Sequence, residues 1–551
     1  YYGDMRVRQK AQFELVERGE TNAFEQAINQ KENQLARVHG IWGIGQLART
    51  KPSLNELLIP LIQDPDEEIQ AQAIKVLGDN KFSSASASII PRLASSTPRV
   101  QFFAAQALGR MGASQAVNPL LDLIKQNQDQ DVYLRHAAVL ALSRIGQVEP
   151  IAALATSTNR SLRIAAVLVL RRMKNPAVAQ FLQDSDEYIV TEAARAIHDD
   201  ESIVEALPAL AQTLAVNKWT NEALIRRAIN ACLRVGTAKE IDLLVAYIQR
   251  QDIPDALRAE GIATLGTWGN SSVLDRVDGR YRGQLDRKSA DVVAKVSGII
   301  PRFLKSKNLE VLTATGQLIA ELGIQDVKSE QTQLFLNHPS PKVRASQLSS
   351  LIALKDQNLP LLLTKGIEDI DRNVRALALG SLDKIAISKN QLPGIINPIF
   401  EKGSVPEQQQ LLQSIAKMPA DHTQDVLADL IARMVDNKLP AGIKLDLMEA
   451  VEATKSEMLV AKLDALKTKG TLTDEYKDAL YGGNLQVGNA IFYRNQSVEC
   501  IRCHNAGGEG GVVGPSLKGI GSRLNREQIL QALIEPSARI APGYGMISLV
   551  L

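Results

Sequence analysis

One unit recurs along most of the chain: a turn made by Asp, Asn or Pro, followed by apolar residues at helical spacing. Copies include DPDEEIQAQAIKVLGDN (64–80), TPRVQFFAAQALGRMGA (97–113) and DIDRNVRALALGSLDKI (369–385). Apolar residues at i, i+3, i+4 and i+7 lie on one face of an α-helix. The copies follow one another at steps of roughly 27 to 36 residues, which is the length of a helical hairpin. A single hairpin cannot bury this face, so the repeat predicts hairpins stacked into a solenoid.

Composition supports a helical protein and excludes several classes of partner. Hydrophobic residues make up 45% of the 551 residues, aromatic residues only 4%, and the formal net charge is +2. A net charge this close to zero gives no overall electrostatic attraction for the negatively charged backbone of nucleic acid, so we expect no nucleic-acid partner. No run approaches the roughly 18 apolar residues of a membrane span, so we expect no transmembrane span. The chain begins without Met and stops in mid-pattern, from which we expect a fragment or a processed product.

The repeat units resemble HEAT repeats, and DRNVRALALGSL (371–382) is closest to the Asp-x-x-Val-Arg-x-x-Ala pattern of that family. The resemblance implies about a dozen compact units over residues 1–470. The segment GNSSVLDRVDGRYRGQLDRKSAD (269–291) interrupts the pattern with Gly, Asp and Arg. We expect an exposed loop between repeats there, with a docking surface as the alternative.

The cysteine and the histidines of the repeats, which could in principle bind a metal or act in catalysis, are predicted to be structural. Cys232 lies on an apolar helix face and is expected to be a small core residue. The histidines of the repeats share no spacing, so we expect structural roles for His39, His136, His198, His338 and His422. No catalytic triad, phosphate-binding glycine loop or carboxylate cluster is visible. Whether the protein is an enzyme is therefore uncertain from the sequence, and no catalytic residue is predicted.

The repeat ends near residue 470, and residues 471–551 contain the motif Cys500-Ile501-Arg502-Cys503-His504. A zinc site needs four ligands, and this segment has no other Cys or His. A redox dithiol would need a βαβ frame, and a simple disulfide would leave His504 unexplained. In Cys-x-x-Cys-His, the two thiols form thioethers with haem and the His binds iron axially. The motif therefore predicts one haem c, covalent through Cys500 and Cys503, with His504 as an iron ligand.

The segment GPSLKGIG (514–521), which follows the motif, resembles the proximal haem segment of class I cytochromes c. The resemblance implies that the Pro515 carbonyl accepts a hydrogen bond from His504 and that Leu517 packs on the haem face. The next helix is predicted to begin at a capping box formed by Asn525 and Gln528. Its apolar stripe suits the wall of a haem pocket, although ordinary core packing predicts the same stripe.

Met546 is the predicted sixth haem ligand and hence, with His504, the predicted metal ligand set. It is the only methionine after residue 470, and it follows His504 in the order and rough spacing of a distal methionine. The ending ISLVL is more typical of a strand than of a closing helix. Tyr544, Lys518, a water molecule or a residue of the solenoid are therefore alternatives.

The whole chain resembles a family of large bacterial proteins in which HEAT-like repeats precede a CxxCH haem-binding domain. The resemblance is carried by DMRVRQKAQFELVERG (4–19), LDRVDGRYRG (274–283), GNAIFYRNQSVECIRCHNAGGEGGVVGPSLKGIG (488–521) and PSARIAPGYG (536–545). In that family a β-propeller similar to quinone-dependent sugar (sorbosone or glucose) dehydrogenases often precedes the repeats. The resemblance implies electron transfer from a fused or partner periplasmic dehydrogenase, and hence an exported, periplasmic protein of oxidoreductase type.

The sequence thus predicts an all-α chain in two parts. Residues 1–470 form a HEAT-like α-solenoid that offers a protein-docking surface, and residues 471–551 form a small class I-like cytochrome c domain that is truncated at its C-terminus. The predicted function is electron transfer. Two alternatives are a haem-based sensor or ligand-binding module, and an interaction scaffold with a redox-silent haem.

Overall fold

A computed structural model of the protein describes residues 2–465, 472–495, 497–507 and 510–545. These described residues contain helices and no named strand, which confirms the all-α prediction. The chain divides into two compact units, Tyr1–Ala231 and Cys232–Leu551, and the division falls inside one helix. A boundary at residue 470 stays a prediction.

The first unit contains helices that alternate in length. They are α1 (Met5–Glu17), α2 (Thr21–Ile28), α3 (Gln34–Leu47), α4 (Glu67–Asp79), α5 (Ser86–Ile89), α6 (Pro98–Met111), α7 (Val117–Asn127), α8 (Val132–Ile145), α9 (Glu149–Ala152), α10 (Arg160–Arg172), α11 (Glu187–His198), α12 (Leu207–Gln212) and α13 (Glu222–Val235), which crosses the division. In several repeats 3₁₀ turns replace the first helix of the hairpin, as at Pro52–Leu58 and Pro176–Gln183. Both of these segments begin with proline, which lacks the N–H of a regular helix interior. These tighter segments explain the short repeat step.

The second unit continues the alternation. Its helices are α14 (Ala238–Gln249), α15 (Asp255–Gly266), α16 (Ala290–Val296), α17 (Ile300–Phe303), α18 (Leu309–Leu322), α19 (Lys328–Asn337), α20 (Pro341–Ala353), α21 (Leu359–Ile367), α22 (Arg372–Leu379), α23 (Leu392–Lys402), α24 (Val405–Ile415), α25 (Ala420–Val435), α26 (Lys444–Ala453), α27 (Glu457–Asp464), α28 (Leu472–Glu475), α29 (Leu485–Arg494), α30 (Cys500–Cys503), α31 (Ile520–Arg523) and α32 (Arg526–Ile534). A continuous core of Leu, Ile, Val and Phe runs through the repeats from Phe335 to Leu463.

The long second helices of successive repeats pack directly on one another, in the order α3, α4, α6, α8, α10 and α11. Small residues at matching positions allow this close approach. A Cβ added at Gly78 would lie 2.6 Å from the Cα of Ala107, and one added at Gly109 would lie 2.5 Å from the Cα of Ala141. Stacking therefore depends on backbone contact at these glycines as well as on the apolar stripe.

An arginine at a matching position in several repeats connects each repeat to the next. In α10, Arg163 donates to the Ser157 carbonyl of its own repeat (2.8 Å) and to Asp184 of the following one (2.7 Å). Arg344 in α20 makes the equivalent bonds to the His338 carbonyl and to Asp369. The arginine of the Val-Arg pattern is thus a structural residue that satisfies loop carbonyls and pairs with the neighbouring repeat.

The segment 269–291 differs from its prediction. Asp275 is buried, and its carboxylate lies 2.9 Å from Arg282 and 3.5 Å from Arg234. Isolated bridges join Asn270 to Asp286 and Leu274 to Tyr281, so the segment folds back on itself. The expectation of an exposed loop is therefore wrong for Ser271, Val273 and Asp275, which are buried, because an ion-pair cluster fixes this part of the segment, whereas Tyr281 is exposed as expected.

Candidate functional site

The Cys-x-x-Cys-His motif forms a single helical turn followed by extended backbone. Helix α30 comprises Cys500–Cys503 and is preceded by Glu499 in the left-handed region, at φ 47°. Cys500 is half-buried and Cys503 is exposed, whereas Ile501 between them is buried. The apolar side chain of Ile501 therefore holds the turn in place while both thiols stay accessible.

The His504 ring is fixed from two sides. Its Nδ1 lies 2.9 Å from the Pro515 carbonyl oxygen, which is the bond that the resemblance to class I cytochromes c implied. A Cβ added at Gly514 would lie 2.7 Å from His504 Cε1, so the ring packs directly on the glycine backbone. A ring that donates from Nδ1 to a carbonyl keeps the Nε2 lone pair for a metal. The arrangement therefore presents Nε2 as the coordinating atom.

Backbone bonds close the loop around this histidine. The Gly514 amide donates to the Cys503 carbonyl (2.7 Å), and the Leu517 amide donates to the Asn505 carbonyl (2.8 Å). The Ser516 hydroxyl donates to the Asn505 side-chain oxygen at 2.6 Å. Leu517 itself is half-buried. The donor set fits covalent haem attachment, because two accessible thiols precede an oriented imidazole.

The rest of the predicted pocket is less complete. The capping box of α32 is present, since Asn525 accepts from the Gln528 amide at 2.8 Å and Gln528 accepts from the Asn525 amide at 3.0 Å. However, α32 contains no buried residue, and Leu533 is 76% exposed. Three other residues of the stripe, Ile529, Leu530 and Ile534, are half-buried, and their role as a pocket wall stays a prediction. Met546 lies outside the described residues, and the alternatives Lys518 and Tyr544 are exposed.

The C-terminal segment is attached to the last repeats. Gln409 of α24 donates to the Gly483 carbonyl at 3.1 Å and to the Asp446 carboxylate at 3.0 Å. Burial raises the pKa of Asp446, although the bond from Gln409 opposes the shift. Arg526 of α32 donates to the Leu480 carbonyl at 2.8 Å. The segment that contains the motif is therefore positioned by the helices of the second unit.

The other thiol and most other imidazoles have structural surroundings. Cys232 is fully buried, and burial raises the pKa of its thiol well above the usual range. His198 is buried beside Asp199, and His422 Nδ1 lies 3.1 Å from the Ile387 carbonyl. Burial, followed by the nearby Arg8, lowers the pKa of His39. These contacts give Cys232, His39, His198 and His422 structural surroundings within their own units.

Comparison with known proteins identifies the repeats. HEAT repeats match residues 86–171. No curated protein matches the chain. Among solved structures, importin beta in an ammonium sulfate condition is 11% identical, with a TM-score of 0.44 over 87% of this chain and 75% of that one. A Kap121p mutant is 14% identical, with a TM-score of 0.48 over 86% of this chain and 54% of that one. The Kap95:Nup1 complex is 14% identical, with a TM-score of 0.40 over 85% of this chain and 69% of that one.

These comparisons confirm a HEAT-like solenoid and correct the predicted function. At this identity and TM-score, the similarity to these structures extends only to the class of helical-repeat proteins. It therefore says nothing about what the chain binds. The family match nevertheless lies in the repeats, and it is not to a cytochrome or an oxidoreductase. Electron transfer as the function of the chain, and its placement among haem oxidoreductases, are therefore wrong. The physical reason is that the motif occupies five residues near one end of the chain, whereas the family match lies in the helical repeats that make up most of it.

Sequence reasoning missed one feature of the repeats. Three successive long helices, α6, α8 and α10, carry arginine in their last turn. The sequence shows this in LGRMG, LSRIG and LRRMK, so a search for charge at the repeat period would have found it. Among the residues that the structure describes, no helix is long and apolar enough to span a membrane.

Proposed function

We propose that this chain is a protein-binding scaffold. The observation that carries the proposal is the continuous stack of long helices in the first unit, from α3 to α11. Stacked repeats contact only their neighbours, so they create extended surfaces with many exposed positions that the fold does not need. The match of residues 86–171 to HEAT repeats supports the same reading.

Exposed aromatic residues at helix starts support a protein partner. Tyr133, the second residue of α8, is 74% exposed, and Tyr188, the second residue of α11, is 50% exposed. The Arg160 guanidinium lies 5.2 Å from the centre of the Tyr188 ring. Tyrosine and arginine are enriched in protein interfaces, because they combine a large apolar area with a polar group.

The test is purification of the full chain from its natural host after mild crosslinking. A partner protein should co-purify at a fixed stoichiometry, with crosslinks on the repeats. The double variant Tyr133→Ala/Tyr188→Ala should lose most of that partner, whereas Tyr281→Ala, which alters a tyrosine 53% exposed in the second unit, should retain it. A chain that purifies alone and shows no crosslink to another protein would refute the scaffold.

We further propose that the scaffold carries haem c at Cys500 and Cys503, with His504 as the iron ligand, in an extracytoplasmic compartment. The bond from His504 to Pro515 supports this proposal, because it orients the imidazole and makes Nε2 more basic. Haem bound there would supply an iron centre. The chain's own residues anchor it through the thiols and hold the ring. This proposal assigns no electron-transfer role.

Production in a host that matures c-type haem proteins tests the attachment. Intact mass should increase by one haem, and Cys500→Ser/Cys503→Ser should abolish the increase. Cys232→Ser is the matched control, because that thiol is buried. An exported chain with no covalent haem would contradict the cofactor while leaving the scaffold intact.

A further inference from the structure

The last turns of three stacked helices bring together a row of arginines in the first unit. Arg110 and Arg144 are the second-last residues of α6 and α8, and Arg172 is the last residue of α10; we call these three residues the arginine ridge. Arg110 and Arg144 line one depression of the surface, and α10, which carries Arg172, packs directly on α8. Burial, followed by the charges of Arg110 and Arg172, lowers the pKa of Arg144. Like charges this close repel one another, so the ridge favours an anionic partner.

Acidic groups of the unit neutralise the ridge only in part. Asp79 pairs with Arg110, but it also pairs with Lys75 at 2.7 Å. Arg144 and Arg172 are exposed, and neither has an ion-pair partner among the residues that the structure describes. The ridge therefore carries positive charge that the fold does not use.

A groove adjoins the ridge and adds an apolar component. It lies along α8, α10 and α11, has a volume of about 590 Å³ and includes Val139, Leu168 and Arg172 in its lining. Val139 is buried and Leu168 half-buried, so they form the floor, and Arg172 is exposed at the rim. The lining also contains three carboxylates, and each already has a cationic partner: Asp199 pairs with Arg227, Asp200 with Arg171 and Glu201 with Lys174. Arg172 is therefore the charge of the lining that is left for a ligand. An apolar floor beside a basic row suits a chain that has both carboxylates and apolar side chains. A nucleic-acid backbone would offer charge without the apolar side chain.

We propose that the arginine ridge and this groove bind an acidic peptide segment of the partner protein. Carboxylates of the segment pair with Arg144 and Arg172, which can each make two parallel N–H···O bonds. An apolar side chain of the segment packs on Val139 and Leu168. The inference rests on the proposed scaffold function and names the chemistry of its partner.

Fluorescence anisotropy of a labelled peptide of alternating Glu and Leu, titrated with the full chain, tests the proposal. The expected result is saturable binding that weakens as salt rises, because exposed charges are screened. Arg144→Glu/Arg172→Glu should weaken binding by about 10-fold or more, since like charges replace the pairs. Arg372→Glu, at an exposed arginine in the second unit, should leave binding unchanged. Thermal melts of both variants check that they fold.

Each other outcome has a definite meaning. Equal affinity of wild type and Arg144→Glu/Arg172→Glu would overturn the proposal, as would equal binding of a peptide with Gln in place of Glu. Binding of single-stranded RNA or anionic vesicles without binding of the peptide would also overturn it and assign the ridge to that anion. If the natural partner still co-purifies with Arg144→Glu/Arg172→Glu, the ridge is refuted and the scaffold stands. If the peptide binds but no partner exists, the scaffold fails alone.

Discussion

Replacing Arg344 by Ala should loosen the second unit locally and by a large amount. The Arg344 guanidinium donates to both carboxylate oxygens of Asp369, at 2.8 and 2.7 Å, and to the His338 and Pro339 carbonyls, at 2.9 and 3.0 Å. Both side chains of the ion pair are only 10% exposed. The substitution leaves a nearly buried carboxylate without its partner, which costs about 3 kcal/mol.

Hydrogen exchange is the appropriate assay, because repeat arrays open locally and a single unfolding transition does not describe them. A cost of about 3 kcal/mol corresponds to roughly 100-fold faster exchange in peptides that cover α20 to α22. The matched control is Lys365→Ala in α21, whose ion pair with Glu368 is 53% and 60% exposed. A surface pair of this kind contributes about 0.2 to 1 kcal/mol, so exchange should rise by less than about fivefold.

The same variant should change the dependence of stability on pH. Burial raises the pKa of Asp369, but the bonds from Arg344 and from the Asp371 amide outweigh it, so the folded pKa lies below the usual value. The resulting stabilisation is present above the unfolded pKa of about 3.9 and is lost as pH falls through the folded pKa. Arg344→Ala should therefore lose less stability than wild type over that acid window. An exchange increase no larger than that of Lys365→Ala would refute the account of the repeat arginine.

Three further predictions concern packing, thiols and the histidine. Gly109→Val should cost about 2 kcal/mol in denaturant unfolding of the first unit, because its Cβ would meet Ala141. Gly3→Val, in the same unit and with open space around it, is the control, and equal loss in both variants would contradict the close contact. A thiol reagent should label Cys500 and Cys503 in the folded chain without haem and reach buried Cys232 only after unfolding; labelling of all three at once would contradict the burial. Gly514→Ala should displace His504, since the new Cβ would lie 2.7 Å from the ring. Its imidazole NMR signals should then lose the pattern of an Nδ1 donor, whereas Gly521→Ala, in open space, should keep it; an unchanged spectrum in Gly514→Ala would argue against this packing.

The helical solenoid could be predicted because its cause is local. Apolar stripes, Asp and Asn caps and a fixed repeat period all lie within one copy of the unit, as at Asp371 and Val374 of α22. The 3₁₀ segments were not predicted, because an apolar pattern does not distinguish a tight turn from a regular one. Proline at the start of some of them, as at Pro176, is a local indication.

Features that depend on distant partners could not be predicted in the same way. Asp275 looks like an exposed loop residue in sequence, and its burial depends on Arg234, 41 residues away. The hydrogen bond between His504 and Pro515 was implied by a family resemblance. In the structure, His504 Nδ1 lies 2.9 Å from the Pro515 carbonyl oxygen. The prediction of electron transfer is wrong for a related reason, since a local motif does not show the surface that the repeats form together.

The most direct test of the scaffold is a hydrogen-exchange footprint of the full chain with its purified partner. The account predicts slower exchange in peptides from the repeats, above all in those that contain Tyr133, Arg144 and Arg172, and little change around Cys500 and His504. Protection confined to residues 497–507 and 510–521, with none anywhere in the repeats, would contradict a scaffold and make the motif the centre of the protein's function.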